Sequence, residues 1–411
     1  MSRKVNVLIH PSIQNLYKNL SKNDLDVLQI TIDIANKHGI ILWAVGGMVR
    51  DTIQSNQTAD LDLIVEKNIF PFVNAVNSVL KGIIKSEKDF GTASIITANT
   101  RIDFALPREE FYQRPASLPS VKVGATLQKD LQRRDFNVNA MALCLNNNQD
   151  IELHDYFEGI SSLKKGNFKT LHPLSFQDDP TRIFRAARLS IFSQLLPNNK
   201  TRKEIDEFKN TIQRLSGKRL WNELSLIAER GKSAEVLLLL EQWNVLEKIH
   251  PNLKFSEKSY AILKQKIHPL QVENLIVIML LPLDLDTGYA ILKRLNAPKI
   301  TLELLEDVRN LLQSNSRTDI NDIEKLSHTS DASKKIAQWF DKSNQILIQN
   351  KIKKLEQTKL FLNAEDLLSL GISPGPDIGK ILQVLREEQF FGRIQSKKQS
   401  YLFIKEYLSK K

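Results

Sequence analysis

The stretch Val45-Gly46-Gly47-Met48-Val49-Arg50-Asp51, followed after eight further residues by Asp60-Leu61-Asp62-Leu63-Ile64-Val65, decides how this chain is read. Leu42 to Val45 reads as a short buried strand, Gly46-Gly47 as a turn without side chains, and Met48 onward as a helix with Arg50 and Asp51 in its first turn. Backbone N–H groups at a helix start with no Cβ in the way form an anion site, and Arg50 adds a forked cation suited to phosphate. In a strand, Asp60 and Asp62 point to the same face with Cα atoms about 6.6 Å apart. Two carboxylates so placed can share hard cations. Mg²⁺ takes carboxylates plus substrate phosphates as ligands, and a pair of ions roughly 3.5–4 Å apart suits in-line phosphoryl transfer.

Each fragment alone is weak: Gly-Gly is a common turn, and Asp-Leu-Asp is more often the solvated face of an edge strand than a metal site. In this order and at this spacing, however, they resemble the nucleotidyltransferase head of the DNA polymerase β superfamily. Asp103, in a strand expected from Arg101 to Phe104, is then a candidate third catalytic carboxylate, as general base or metal ligand. An edge-strand aspartate in water is the equally weighted alternative.

The chain has 411 residues, enough for roughly two to four domains. With 42% hydrophobic and 26% charged residues it has a globular composition. Its 58 Lys+Arg against 47 Asp+Glu give a net charge of +11, a field that concentrates polyanions such as RNA but also suits a membrane surface or plain solubility. A single cysteine, Cys144, excludes an intrachain disulfide and a cysteine-rich zinc site. No apolar run follows Arg3-Lys4 and no stretch reaches membrane-spanning length, so the expectation is a cytoplasmic protein with no membrane and no protein partner implied.

Along the chain, a helix is expected from a cap at Asn23 or Asp24 to Lys37, another from Ile69 to Val79, and short strands at Ile83-Ile84, Ser94 to Thr97 and Arg101 to Phe104. Pro107 to Thr126 carries three prolines and little periodicity, and reads as a long mobile loop over the site. Arg133-Arg134-Asp135-Phe136-Asn137-Val138-Asn139-Ala140 reads as paired arginines before a crowded helix start, with Arg134 placed to meet a triphosphate over the Gly46-Gly47 turn. From Asp178 onward the pattern is helical, with Pro180 in a first turn behind an Asp178-Asp179 cap.

These motifs together resemble class II tRNA nucleotidyltransferases, the CCA-adding enzymes, and their bacterial poly(A) polymerase relatives. The likeness runs from about residue 40 to 230. Carried over position by position, it implies that Gly47 and Arg50 contact the incoming nucleotide, that Asp60 and Asp62 bind Mg²⁺, and that Arg134 meets the triphosphate. In Gln177-Asp178-Asp179-Pro180-Thr181-Arg182, it implies that Asp179 and Arg182 read the base, with Arg185 and Arg188 behind them. Asp178 replaces the family's usual Glu, Ala116 its usual Gly in the flap, and Ser162 a common Asp in the turn after Asp155-Tyr156-Phe157-Glu158-Gly159. An arginine and a glutamate in Ser216 to Leu224 would brace the helix of the base-reading pair.

The fold expected is α+β: a nucleotidyltransferase head with a mixed sheet and flanking helices over 1–150, then an all-helical neck (151–232), body (233–365) and tRNA-binding tail (366–411). The function implied by the resemblance is template-independent addition of the 3′-terminal CCA, or only A or CC, to tRNA from CTP and ATP. A flap is lacking in many CC-only members, so its presence here favours CCA or A addition. Poly(A) polymerase is the first alternative, and a non-catalytic RNA-binding protein on the same fold a more distant one.

Overall fold

Nine short strands lie among the described residues up to 154: Leu42–Val45 (β1), Leu61–Val65 (β2), Ile83–Glu87 (β3), Thr92–Ile96 (β4), Arg101–Ala105 (β5), Arg108–Phe111 (β6), Ser120–Val123 (β7), Ala142–Cys144 (β8) and Leu153–His154 (β9). The computed structural model describes residues 13–57, 60–146, 153–265, 269–314 and 320–409. Seven of the strands form one sheet in the order β3-β4-β5-β2-β1-β8-β9. All its neighbours are antiparallel except β2 and β5, whose parallel pairing sets Asp62 opposite Asp103. A parallel pair needs a long crossover, and the helix Ile69–Leu80 with the β3–β4 hairpin supplies it.

Two helices cover one side of this sheet. Lys22–Lys37 buries Val27, Leu28, Ile32 and Ala35, spaced for one helical face, and Ile69–Leu80 buries Phe72, Val73 and Val76. Phe72 meets Phe104 of β5 edge-on with ring centroids 5.8 Å apart, a geometry worth roughly 1 kcal/mol beyond area burial. The first helix is capped by Ser21, whose side chain accepts from the Asp24 amide, so the expected cap at Asn23 or Asp24 lies two or three residues too late. On the other side, Trp43, Val45 and Ile64 pack with Leu131 and Ala140, which anchors the Arg133-Arg134 segment to the sheet.

Two sequence readings need correction. Pro107 to Thr126 is not a structureless loop: β6 and β7 pair antiparallel from Arg108↔Val123 to Phe111↔Ser120, leaving residues 112–119 between them. Alternation in Arg108 to Phe111 is hidden because charged residues occupy both faces of a two-stranded ribbon. Asn137–Asn139 is a single 3-10 turn, not the start of a helix. Asn137 is fully buried there, donating from Nδ2 to Ser162 Oγ and accepting from the Lys169 amide, so the chain runs straight on into β8. Ser162 makes a contact of its own at the position where an aspartate is common.

From Ser175 onward the described residues are almost wholly helical. Residues 1–227 with 232–254 form one compact unit, and residues 228–231 with 255–411 form a second, whose regular elements among the described residues are all helices. Lys410 and Lys411, read as part of a basic end, lie outside the described residues. No helix among the described residues is long and apolar enough to cross a membrane.

Candidate active site

The Gly46-Gly47 turn connects β1 to the helix Gly47–Ile53. Gly46 has φ +70°, a conformation costly for any L side chain, and a Cβ there would stand 3.0 Å from Arg134 Nη1 and 3.9 Å from Asp62 Oδ2. Glycine is therefore required for both conformation and space, and the same distances place an arginine and an aspartate at one turn. A Cβ on Gly47 would stand 3.3 Å from Arg50 Nη2. Arg50 itself bonds Asp51 at 2.9 Å through Nε and Asn139 Oδ1 at 2.6 Å through Nη1.

The paired arginines divide their labour. Arg133 donates Nε and Nη2 to the fully buried Asp130 at 3.0 and 2.8 Å, and Nη1 to Glu110 Oε1 at 2.7 Å. Its donors are spent inside the protein. Arg134 gives Nη2 to Asp130 Oδ2 at 3.1 Å, while its buried Nε has no hydrogen-bond partner. An orphaned buried donor on a cation at a glycine turn is what an anion site requires before its anion arrives. Burial raises the Asp130 carboxyl, but Arg134 and Arg133 outweigh it and hold the group below the usual carboxylate range.

Asp62 lies half-buried on β2 beneath this turn. Burial pushes its carboxyl above the usual range, Arg134 pulls it down, and the charges of Asp60 and Asp103 raise it again. A carboxylate that desolvation and two like charges destabilise gains from a divalent cation, so Asp60 and Asp62 fit one. Among the described residues no three His, Cys, Asp or Glu side chains already converge on a metal-holding arrangement. Asp103 illustrates why: Arg101 Nε bonds both of its carboxylate oxygens at 3.0 and 2.9 Å, and Ser94 Oγ donates to it as well. Arg101 was not foreseen, although its place two residues before Asp103 in a strand puts both on one face.

At the other end of the site, Asp179 precedes the helix Thr181–Phe192. Its Oδ1 accepts from the Thr181 amide at 3.1 Å, Thr181 Oγ1 at 2.7 Å and Arg219 Nη2 at 2.6 Å. Arg219 also donates Nη1 to the Ala116 carbonyl at 2.8 Å, so one guanidinium joins Asp179 to the flap. Arg182, 4% exposed, donates Nη1 to Ser175 Oγ at 2.6 Å and Nη2 to the Arg133 carbonyl at 2.9 Å. Arg185 Nε bonds Asp135 Oδ2 at 2.8 Å, and Arg188 Nη1 bonds Glu223 Oε2 at 2.6 Å. Arg219 and Glu223 thus both reach this segment, as an arginine and glutamate brace would.

A single cleft of about 800 Å³ collects Gly47, Asp62, Asp103 and Arg134 at one end and Asp179, Arg182 and Arg185 at the other. Arg50, Asp60 and Arg188 are not on its wall: Arg50 and Arg188 are turned to the acidic and amide partners above, and Asp60 is exposed just before β2. Lys85, Ser94, Tyr112 and Arg219 also line it. Lys85, Ser94 and Tyr112 carry no sequence signal, because the first two reach the cleft through strand register and Tyr112 from the connection after β6, none of them through a motif. A volume of this size suits a molecule as large as a nucleotide.

Residues 42–169 match the family model of the poly(A) polymerase head domain. An A-adding tRNA nucleotidyltransferase of Halalkalibacterium halodurans is 27% identical over 405 residues, covering 95% of this chain and 94% of that protein. One of Geobacter sulfurreducens is 35% identical over 230 residues, 54% of this chain, but the match spans only 26% of that longer protein. A solved structure of a CCA-adding enzyme in an apo form superposes with a TM-score of 0.75 at 25% identity, over 98% of this chain and 99% of that one.

Proposed function

Because this chain belongs to the class II tRNA nucleotidyltransferase and bacterial poly(A) polymerase family, we propose that it adds the 3′-terminal CCA, or part of it, to tRNA from CTP and ATP without a nucleic-acid template. The observation that carries this reading is one cleft with an anion-seeking arginine over a glycine turn at one end and a carboxylate and arginine fixed by protein contacts at the other. In the reaction the tRNA 3′-hydroxyl attacks the α-phosphorus, a new P–O bond forms, and pyrophosphate leaves with the bridging electron pair. The amides of the Gly46-Gly47 turn and Arg134 bind the phosphates. Asp103, in register with Asp62, stands where it can take the hydroxyl proton once Arg101 yields. Mg²⁺ held by Asp60 and Asp62 would supply charge stabilisation to the phosphate oxygens.

Base choice falls to Asp179 and Arg182. All three protein donors to Asp179 use Oδ1, and no hydrogen bond among the described residues uses Arg182 Nε, so Oδ2 and Nε remain to meet an exocyclic amino group and an unprotonated ring nitrogen. Cytosine and adenine present that pair, and uracil and guanine present its reverse. The A-adding name of both relatives favours addition of the terminal A to a CC end. Transcripts ending at the discriminator base, at C and at CC, each offered labelled CTP or ATP, test the reading. Extension of all three gives full CCA addition, and extension of the CC end alone gives A addition. No extension of any of them overturns the proposal.

A further inference from the structure

Behind the base-reading end of the cleft lies a second cavity of about 370 Å³. Glu110, Tyr112, Arg133 and Arg182 line both spaces, so they form the partition between them. Three of the four are pinned. Glu110, its side chain only 8% exposed, accepts from Arg133 Nη1 at 2.7 Å and Arg108 Nη2 at 3.0 Å, and Arg182 is held by Ser175 and the Arg133 carbonyl. Tyr112 is the one ring in the wall. Its hydroxyl donates to Glu110 Oε2 at 3.3 Å, which turns the polar tip toward the partition's anchor, and the residue lines both spaces. Burial, opposed by the charge of Arg182 and aided by Glu110 and Asp179, pushes the phenol up to about 12, so the hydroxyl stays a neutral donor.

We propose that Tyr112 is a specificity-determining residue that gauges the size of the incoming base, its ring closing the base-reading end of the cleft against the cavity behind it. This rests on the nucleotide-transfer reading above. Asp179 and Arg182 can distinguish an amino-bearing edge from a carbonyl-bearing one, but cytosine and adenine share that edge. They differ in extent: one ring against two. A rigid wall at a fixed distance from the reading pair senses that difference, and a void behind the wall means that removing the ring adds depth directly.

The test is equilibrium binding of ATP and of CTP, by competition against a fluorescent nucleotide with Mg²⁺ present and no RNA, to the full chain and three variants. Tyr112→Ala joins the two spaces and is expected to shift the affinity ratio toward ATP by about fivefold, the size of one lost aromatic contact to the smaller base. Tyr112→Trp thickens the wall and is expected to shift the ratio toward CTP. Tyr112→Phe keeps the ring and leaves the ratio unchanged, since the hydroxyl is committed to Glu110. A ratio that is the same in the Ala and Trp variants as in the parent protein overturns the gauge, and so does a shift in Phe as large as in Ala. Should Tyr112→Ala fail to fold, the sign of the Trp shift decides. Parent protein that binds neither nucleotide would count against the nucleotide-transfer reading itself, whereas binding with an immovable ratio counts against Tyr112 alone.

Discussion

Arg185 Nε donates to Asp135 Oδ2 at 2.8 Å, and this ion pair joins the helix that begins after Asp179 to the turn that follows Arg134. Asp135 passes the link on: its Oδ1 accepts from Asn139 Nδ2 at 3.0 Å, and Asn139 Oδ1 accepts from Arg50 at 2.6 Å. Arg185 and Arg50 therefore share one chain of hydrogen bonds.

That chain has a measurable acid limit. Burial works to raise the Asp135 carboxyl, but Arg185, Asn139, Arg182 and the Phe136 amide together lower it to about 2 from 3.8. A depressed carboxylate contributes stability that is present above its unfolded value near 3.8 and is lost as pH falls toward about 2. The expected outcome is that the parent protein exceeds Asp135→Asn by about 2 kcal/mol at pH 6, and that this margin narrows as pH falls from 4 to 2. Urea midpoints of both proteins across that range check it, and a margin that does not change with pH would refute it.

A second expectation concerns Asp60 and Asp62. Asp62→Asn keeps the shape of a half-buried side chain but removes the charge that a divalent ion would meet. Nucleotide transfer is expected to fall at least about a hundredfold, as on loss of one transition-state charge contact, while tRNA retention on a filter stays within twofold or so. Asp60→Ala should behave alike. Full transfer by either variant would remove that residue from the mechanism.

How far these residues could be read from sequence follows from what each depends on. Gly46, Arg134 and Asp62 are legible because a turn, a cation and a strand carboxylate are local features, and the structure sets them within 4 Å of one position. The mixed sheet was legible for the same reason, since β1, β2 and β4 each carry a short apolar run and β5 alternates apolar with polar residues. Arg101 and Tyr112 were not, because the first acts through the β2–β5 register and the second through the partition between two cavities. The β6–β7 ribbon escaped for want of a buried face, and Asn137 because a buried amide that satisfies a turn looks like any polar loop residue until its partners are known.

Arg219 carries a third expectation. Its guanidinium holds Asp179 Oδ1 and the Ala116 carbonyl at once, and Ala116 sits at φ +62°, a left-handed conformation that costs a non-glycine residue about 1 kcal/mol. Arg219→Lys keeps the charge but cannot span both acceptors with fork geometry. KM for nucleotide is expected to rise several-fold with little change in KM for tRNA. Steady-state kinetics at varied nucleotide and tRNA check this, and a rise in both alike would point to general loss of structure instead.

The sharpest expectation concerns Asp179 itself. An ionised carboxylate only accepts and a guanidinium only donates, so an Asp–Arg pair presents fixed polarity to a base edge. Thr181 and Arg219 both bind Oδ1, which orients the carboxylate and leaves Oδ2 as the acceptor for an amino group. Against uracil or guanine the same oxygen would face a carbonyl, and each mismatched pair is worth roughly 1–3 kcal/mol of discrimination. A purely structural Asp179 would instead act through its ion pair with Arg219, whose partners are each about one-fifth exposed, and its loss would lower stability without touching base choice. Asp179→Ala is therefore expected to let UTP and GTP compete with CTP and ATP, narrowing selectivity by tenfold or more, roughly the lower end of that range. Incorporation of all four nucleotides by the mutant, with its urea midpoint measured alongside, separates the two roles: a lowered midpoint with unchanged selectivity would leave Asp179 as a brace for the helix and nothing more.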